Sequence, residues 1–134
     1  MVKLKKDFPR PNHKAHTDSY KTDDWIMLMF EDWFDPCPFN PDWNPYDYQD
    51  GLIQTWKDKT FVNPPYSNPL PWVEKSIREN HQGKRIALLL KHDSSTKWYS
   101  LLHGAGAKFL LVSGRLKFNT GKSCAFPSLI AILN

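Results

Sequence analysis

The sequence predicts a compact α/β domain built around a mostly parallel sheet with an antiparallel edge. Strand-like and helix-like apolar patterns alternate from about residue 60 to the C-terminus, which is typical of parallel strands joined by crossover helices. The run Ile86-Ala87-Leu88-Leu89-Leu90 is apolar at every position, as expected of a strand covered on both faces. A length of 134 residues suits a single core.

Residues 1–21 are predicted to form a basic, flexible N-terminal arm, and residues 22–134 a single folded domain. The arm interleaves basic side chains with Pro9 and Pro11, which defeats helical and strand periodicity. The chain has a formal charge of +4, which suits a polyanionic partner without requiring one. A solvated tail and an arm that contacts phosphate explain this segment equally well.

The first predicted element of the domain is a helix. The Thr22 hydroxyl can cap its first turn, and Asp23 and Asp24 favour that turn because acidic side chains are stabilising at a helix N-terminus. Apolar side chains recur from Trp25 onward, so we expect a helix of about three turns that ends near Trp33.

A very short strand and a long loop are predicted to follow this helix. Phe34 and Asp35 can form at most a brief strand, because four prolines occur between positions 36 and 45. The loop is expected to extend to about Lys59. Within it, Asp50-Gly51-Leu52 has the composition of a turn, and Trp56 is predicted to anchor the loop by packing.

The rest of the chain alternates regularly between strand and helix patterns. We predict strands over residues 60–62, 85–90 and 108–113, and helices over residues 71–80 and from a Ser94 or Ser95 cap to about His103. Residues 116–118 and 128–133 are expected to complete the sheet as a hairpin. This order of elements predicts a Rossmann-like fold, in which ligands bind at the carboxyl ends of the strands.

The segment Asn63-Pro64-Pro65-Tyr66, termed the proline loop below, directly follows the predicted strand over residues 60–62. Its two prolines fix their own φ and remove two backbone donors, so the loop is stiff and presents carbonyl acceptors. In isolation, a simple turn explains these residues about equally well. Their position at a strand's carboxyl end favours a functional loop.

Such a loop suits chemistry on an exocyclic amine conjugated to a purine ring. If the Asn63 side-chain oxygen and the Pro64 carbonyl each accept one amine hydrogen, the nitrogen becomes more tetrahedral and its lone pair turns nucleophilic. Tyr66 then offers a ring face to a base that has left the duplex. All four residues of the loop, including Pro65, are therefore candidate catalytic residues.

The proline loop resembles the catalytic motif of the amino-group DNA methyltransferases, which is Asp or Asn, Pro, Pro and an aromatic residue. From about Thr22 to the C-terminus, the chain resembles the compact phage-type, Dam-like DNA adenine-N6 methyltransferases. The resemblance is carried, in the family's order, by Asp35-Pro36-Cys37-Pro38, Asp50-Gly51-Leu52 with Trp56, Phe61 to Ser67, Trp72-Val73-Glu74-Lys75 and Gly114-Arg115-Leu116-Lys117-Phe118.

This resemblance implies a Rossmann-like methyltransferase sheet, S-adenosylmethionine as cofactor, and methyl transfer to adenine N6 of double-stranded DNA after base flipping. It also implies a cofactor pocket around two segments, one after the first strand and one near the adenosine moiety. The cofactor-binding residues that it implies are Thr22, Asp35, Pro36, Cys37, Asp50 and Leu52.

Two further sets of residues follow from the resemblance. The cofactor ribose requires an acid from among Asp42, Asp47 and Asp50, of which we favour Asp50. Arg115 and Lys117 lie beside family-like residues and are candidate DNA-binding residues. For these two cations, a solvated surface role is an equally good interpretation.

The sequence favours neither a metal site nor a membrane segment. Cys37 and Cys124 lack the spacing of metal ligands, and His13 and His16 lie in the predicted arm without cysteines nearby. No apolar stretch of about 20 residues and no hydrophobic leader after Met1 occurs. We therefore expect a cytoplasmic protein, in a bacterial host if the chain derives from a phage.

Two other interpretations share these residues. Related Asn-Pro-Pro-Tyr loops also serve methyltransferases that act on RNA amines or on protein glutamine amides, because planar amides pose the same chemical problem. A non-catalytic, methyltransferase-like module that binds DNA is the third interpretation. The oligomeric state and the target sequence are not predicted.

Overall fold

The computed structural model of the chain describes residues 22–38, 49–117, 124 and 126–134. The predicted arm over residues 1–21, the candidate ribose acids Asp42 and Asp47, and Phe118 lie outside these residues. The described residues include no helix long and apolar enough to cross a membrane. The elements in chain order are α1 (Asp24–Met29), α2 (Gln49–Ile53), β1 (Lys59–Val62), α3 (Leu70–His81), β2 (Arg85–Lys91), α4 (Lys97–Gly104), β3 (Lys108–Leu111) and β4 (Ser128–Leu133).

The four described strands form one mixed sheet in the order β1-β2-β4-β3. β1 pairs with β2 in parallel, whereas β4 pairs antiparallel with both β2 and β3. Two of the three pairings are thus antiparallel, and the predicted mostly parallel sheet with an antiparallel edge is wrong. An apolar strand pattern reports burial on both faces and does not specify the direction of the neighbouring strand.

The last strand also has other partners than predicted. β4 lies between β2 and β3 rather than pairing with residues 116–118 as a hairpin. The Leu116 carbonyl instead accepts a hydrogen bond from the Cys124 N–H at 2.6 Å, and both residues are buried. Since β2 and β3 each run opposite to β4, the strands β1, β2 and β3 all run in one direction.

Both faces of the sheet are covered, as the continuous apolar run in β2 predicts. Ile86, Leu88 and Leu90 belong to one buried cluster, which also contains Trp72 of α3 and residues of α4. Ala87 and Leu89 alternate with them and belong to a second cluster with Ile26 of α1. The alternation follows from the two-residue period of a strand.

Helix α1 is shorter than predicted. It spans six residues rather than about three turns, and its N-cap residue is Asp23, which makes no side-chain capping bond. Phe30 ends the helix and stacks on Phe61 with ring centroids 4.8 Å apart. This packing on the sheet draws the chain out of the helix, although the apolar residues continue to Trp33.

Helix α4 is present but has a different cap from the predicted serines. The Thr96 hydroxyl accepts a hydrogen bond from the Tyr99 N–H at 3.3 Å. Ser95 instead donates its hydroxyl and its N–H to the Asp93 carboxylate. Ser95 is therefore part of the turn that leads into the helix.

The segment Asp50-Gly51-Leu52 lies in helix α2 and not in the predicted turn. A Cβ placed on Gly51 would lie 2.1 Å from the Pro36 carbonyl oxygen and 2.7 Å from the Trp72 ring. The absent side chain therefore lets the backbone of α2 pack directly on the segment that follows Phe34. Trp56, a confirmed packing anchor, donates its indole N–H to the Gly51 carbonyl at 2.7 Å.

Glu79, a buried residue of α3, connects this helix to Trp56. The Glu79 side chain accepts from the Trp56 backbone N–H at 3.3 Å and pairs with Lys75 and Lys84. Burial of the Glu79 carboxyl opposes its ionisation, but the hydrogen bond from Lys84, the two lysine charges and the Trp56 N–H together hold its pKa below the ordinary value.

Gly51→Ala is expected to lower the free energy of unfolding by about 2 kcal/mol, because the new methyl group overlaps the Pro36 backbone. Urea denaturation at neutral pH measures the change. Gly104→Ala is the matched control, since Gly104 also belongs to a helix and a Cβ there meets nothing within 4 Å. Equal stability of the two variants would contradict the close packing of α2.

Glu79→Gln is expected to lower the free energy of unfolding by about 2 kcal/mol at pH 7, since two lysines lose a charged partner. The pKa of Glu79 is lower in the folded state, so its stabilisation is present above the ordinary glutamate pKa of about 4.3 and is lost as pH falls through the folded-state value.

The difference between wild type and Glu79→Gln should therefore shrink in acid. Denaturation midpoints from pH 7 to pH 3 measure it, with Glu74→Gln, an exposed position of the same helix, as control. A difference that does not change with pH would rule out a charged Glu79 as the source of the stabilisation.

Candidate active site at the carboxyl ends of the strands

Loops from several strands meet at one end of the sheet, termed the site end below. β1 and β2 run parallel, so the chain leaves both strands at this end. β4 runs the opposite way and is entered here, where the His92 N–H donates to the Pro127 carbonyl at 2.9 Å. Phe34 bridges Thr60 in parallel, so Asp35 also leaves towards the site end.

The proline loop leaves β1 at the site end, where the sequence predicts it. Pro64 and Pro65 are buried, and Asn63 and Tyr66 are partly buried. The Asn63 side-chain nitrogen donates a hydrogen bond to the Thr22 hydroxyl at 3.0 Å. The Pro65 carbonyl accepts from the Asn68 N–H at 3.3 Å, which closes the loop into α3.

A cavity of about 320 Å³ opens beside the proline loop. Pro64 and Tyr66 line it, and the Tyr66 ring meets the Phe126 ring edge-on, with centroids 5.0 Å apart and planes at 89°. The remaining lining residues come from the start of α3, the end of β2, the start of α4 and the segment before β4: Ser67, Pro69, Leu90, Lys91, Asp93, Thr96, Trp98 and Phe126.

Several of these lining residues are absent from the sequence predictions. Lys91 is the last residue of β2 and Asp93 follows it closely, so the rule that located the proline loop also points to them. Lys91 lies over the Phe126 ring, with its Nζ 5.7 Å from the centroid. Phe126 could not be found in this way, because its place depends on the insertion of β4 beside β2.

The two predicted cofactor segments lie against each other. Asp35, Pro36 and Cys37 follow the Phe34 bridge, and α2 packs on the Pro36 carbonyl through Gly51. Cys37 and Leu52 pack against the same buried cluster. Asp50 is a residue of α2 and so belongs to the same assembly.

Asp35 is the acid of this assembly whose side-chain environment the structure describes. Its carboxylate accepts a hydrogen bond from the Cys37 N–H at 2.9 Å. Burial raises the pKa of the Asp35 carboxyl above its ordinary value, and the Cys37 bond opposes the rise. A desolvated carboxylate at a strand's carboxyl end favours a cationic or hydroxyl-bearing ligand beside it.

Thr22 contacts the proline loop, since its hydroxyl accepts from Asn63. The capping role predicted for that hydroxyl is wrong, because α1 has Asp23 at its N-cap.

The cavity beside Tyr66 is not lined by Asp35 or Leu52. The predicted catalytic region and the predicted cofactor region therefore occupy separate parts of the site end.

Arg115 and Lys117 are exposed on the segment that follows β3. The Arg115 guanidinium donates to the Cys124 carbonyl at 3.4 Å, so one end of this side chain is bonded to the protein itself. The Lys117 backbone N–H donates to the Asp23 carboxylate at 3.0 Å. This bond ties the segment to the start of α1, next to Thr22.

The chain is similar in sequence to known proteins of one family. Residues 45–127, more than half of the chain, match the model of the family DNA N-6-adenine-methyltransferase (Dam). The DNA N-6-adenine-methyltransferase of Haemophilus phage HP1 is 30% identical over 100 residues, covering 66% of this chain and 58% of that protein. The protein of the same name from Escherichia phage T1 is 27% identical over 96 residues, covering 58% of this chain and 40% of that protein.

The chain thus spans less than two thirds of the length of these two phage relatives. No solved structure matches it. The family match includes β1, the proline loop, β2 and the segment with Arg115 and Lys117. By this match, the chain belongs to the DNA N-6-adenine-methyltransferase (Dam) family.

Proposed function

We propose that this chain is an S-adenosylmethionine-dependent methyltransferase that acts on adenine N6 in double-stranded DNA and flips the target base out of the duplex. The observation that carries the proposal is the proline loop, which leaves β1 at the site end and lines a cavity with Pro64 and Tyr66. Family membership and the names of the two phage relatives support the same reaction.

Asn63 and Pro64 activate the amine in this proposal. The adenine amine has two hydrogens and a lone pair delocalised into the ring, so it is a weak nucleophile. The Asn63 Oδ1 accepts one hydrogen and the Pro64 carbonyl the other, which weakens the conjugation and directs the lone pair outward. Pro65 locks the loop, so these acceptors need little reorganisation when the base arrives.

Tyr66 and Phe126 hold the extruded base. Their rings meet edge-on and both line the cavity, and in this proposal a face of the Tyr66 ring stacks on the purine. Taking the base out of the duplex costs about a few kcal/mol of free energy, and stacking on an aromatic face offsets part of this cost. Arg115 and Lys117 are exposed and are the proposed contacts to DNA phosphate.

The cofactor segments fit S-adenosylmethionine by their chemistry. The partly desolvated Asp35 carboxylate accepts from an ammonium or a hydroxyl group, while Leu52 and Cys37 supply apolar surface. Pro36 sets the path of the first segment, and Asp50 on α2 is the proposed acid for the ribose hydroxyls. When bound, the cofactor supplies an electrophilic methyl group on its sulfonium.

The arrangement of strands supports a Rossmann-like methyltransferase sheet within a single domain over residues 22–134. β1, β2 and β3 run in one direction, and the Phe34 bridge to Thr60 runs parallel to β1. The proline loop after β1 and the Asp35 segment after Phe34 then both leave the sheet at the site end. This is where an open α/β sheet presents its ligand crevice.

The acceptor is tested by incubating the protein with methyl-labelled S-adenosylmethionine and separate pools of DNA, RNA and protein. We expect label in double-stranded DNA, recovered as N6-methyladenine after digestion. Label confined to RNA or to protein glutamine would overturn the DNA assignment. Absence of transfer to every pool, together with DNA binding, would identify a non-catalytic module.

Asn63→Ala is the matched active-site variant for this assay. It is expected to lower methyl transfer by at least about a hundredfold, because one of two preorganised acceptors is lost. Cofactor affinity, measured by calorimetry, should change little. Asn68→Ala is the control, since Asn68 is exposed and follows the loop. Wild-type turnover in Asn63→Ala would refute its catalytic role.

Asp35→Asn is expected to weaken S-adenosylmethionine binding by about tenfold or more, because an amide replaces the charged acceptor for the ligand's ammonium or hydroxyl groups. Isothermal calorimetry measures the affinity. Asp58→Asn, at an exposed acid beside β1, should bind like wild type. Equal affinity in the two variants would remove Asp35 from the proposed cofactor site.

A further inference from the structure

We propose that Thr22 is a positioning residue that fixes the orientation of the Asn63 amide. This inference rests on the proposed function, because it assigns a role to Thr22 through the catalytic Asn63. It differs from the cofactor role that the resemblance implies for Thr22. The observation behind it is the hydrogen bond from the Asn63 Nδ2 to the Thr22 Oγ1 at 3.0 Å.

The direction of this hydrogen bond matters for the chemistry. A side-chain amide is planar, with a donor nitrogen and an acceptor oxygen on opposite sides of its carbon. When Nδ2 faces Thr22, Oδ1 lies on the other side, as required of an acceptor for an amine hydrogen. Rotation of the amide by half a turn would present two hydrogens to the amine and abolish that acceptor. The bond from Nδ2 to the Thr22 hydroxyl therefore holds the Asn63 side chain with Oδ1 on the side away from Thr22.

Thr22 is itself held firmly enough to act in this way. Its residue is buried, with 7% of its surface exposed. The Asp23 carbonyl accepts from the Ile26 and Met27 N–H groups at 3.0 Å each, and Ile26 is fully buried against the sheet. The Asp23 carboxylate accepts from the Lys117 N–H. The backbone beside Thr22 is thus fixed on two sides.

The partly buried hydrogen bond between Asn63 and Thr22 also connects two separate parts of the chain. The helix start at Asp23 is bonded to the segment after β3, which carries the proposed DNA contacts. The proline loop follows β1. Through its side-chain bond to Asn63, Thr22 joins the start of α1 to the proline loop.

Thr22→Val and Thr22→Ser test the inference. Valine keeps the shape of threonine but removes the acceptor, so kcat should fall by about tenfold to a hundredfold. The KM for S-adenosylmethionine should stay within about twofold, because the cofactor contacts are retained. Serine keeps the hydroxyl and should restore kcat to within about threefold of wild type. Steady-state kinetics with a double-stranded DNA substrate gives both constants.

Two kinetic outcomes would overturn the inference while the proposed function stands. The first is a wild-type kcat in Thr22→Val. The second is a raised KM for S-adenosylmethionine with kcat unchanged, which would make Thr22 a cofactor residue. A wild-type protein that transfers no methyl group to DNA would instead refute the proposed function.

A measurement that needs no activity decides the inference in that case as well. The side-chain amide protons of Asn63 are assigned in a ¹⁵N NMR spectrum by their loss in Asn63→Asp. Thr22→Val should shift them and accelerate their exchange with solvent, whereas Thr22→Ser should leave them near the wild-type positions. Identical Asn63 amide signals in wild type and Thr22→Val would overturn the positioning role.

Discussion

The parallel hydrogen bonding around β1 determines where the proline loop, the Asp35 segment and the chain after β2 leave the sheet. On one side of β1, the Phe34 N–H donates to Lys59 and the Phe34 carbonyl accepts from the Phe61 N–H, at 2.9 and 2.8 Å. On the other side, β1 pairs with β2 in parallel. Because these three segments run in one direction, the chain that follows each of them emerges at the same end. Residues from distant parts of the sequence therefore lie together at the site end.

Close packing holds the two proposed cofactor segments against each other. Gly51 brings the backbone of α2 onto the Pro36 carbonyl, and Trp56 caps that contact by donating to the Gly51 carbonyl. The Glu79 carboxylate in turn accepts a hydrogen bond from the Trp56 backbone N–H. A site that must hold a ligand within fractions of an ångström benefits from such support, because the supporting side chains cannot relax independently.

The site end combines two different environments. Half of the residues that line the cavity beside Tyr66 are aromatic or proline, and the others include Lys91 and Asp93. The segment around Asp35 instead presents a partly desolvated carboxylate, whose raised pKa reflects its burial. Asn63 and Thr22 lie on the loop and helix start that border these regions. In the proposed reaction, the neutral base and the cationic cofactor would contact different surfaces of one small domain.

The order of motifs in the sequence predicted the family by resemblance. The sequence by itself also determined the position of the proline loop and most element bounds, because apolar periodicity and proline stiffness act over a few residues. It missed α2, whose five residues include a glycine and depend on packing rather than on helix propensity. Only the tertiary structure decided that β4 lies between β2 and β3, that Phe126 faces Tyr66 and that Thr22 bonds Asn63. These contacts join residues far apart in the chain, and no local pattern records which strand or side chain will be the partner.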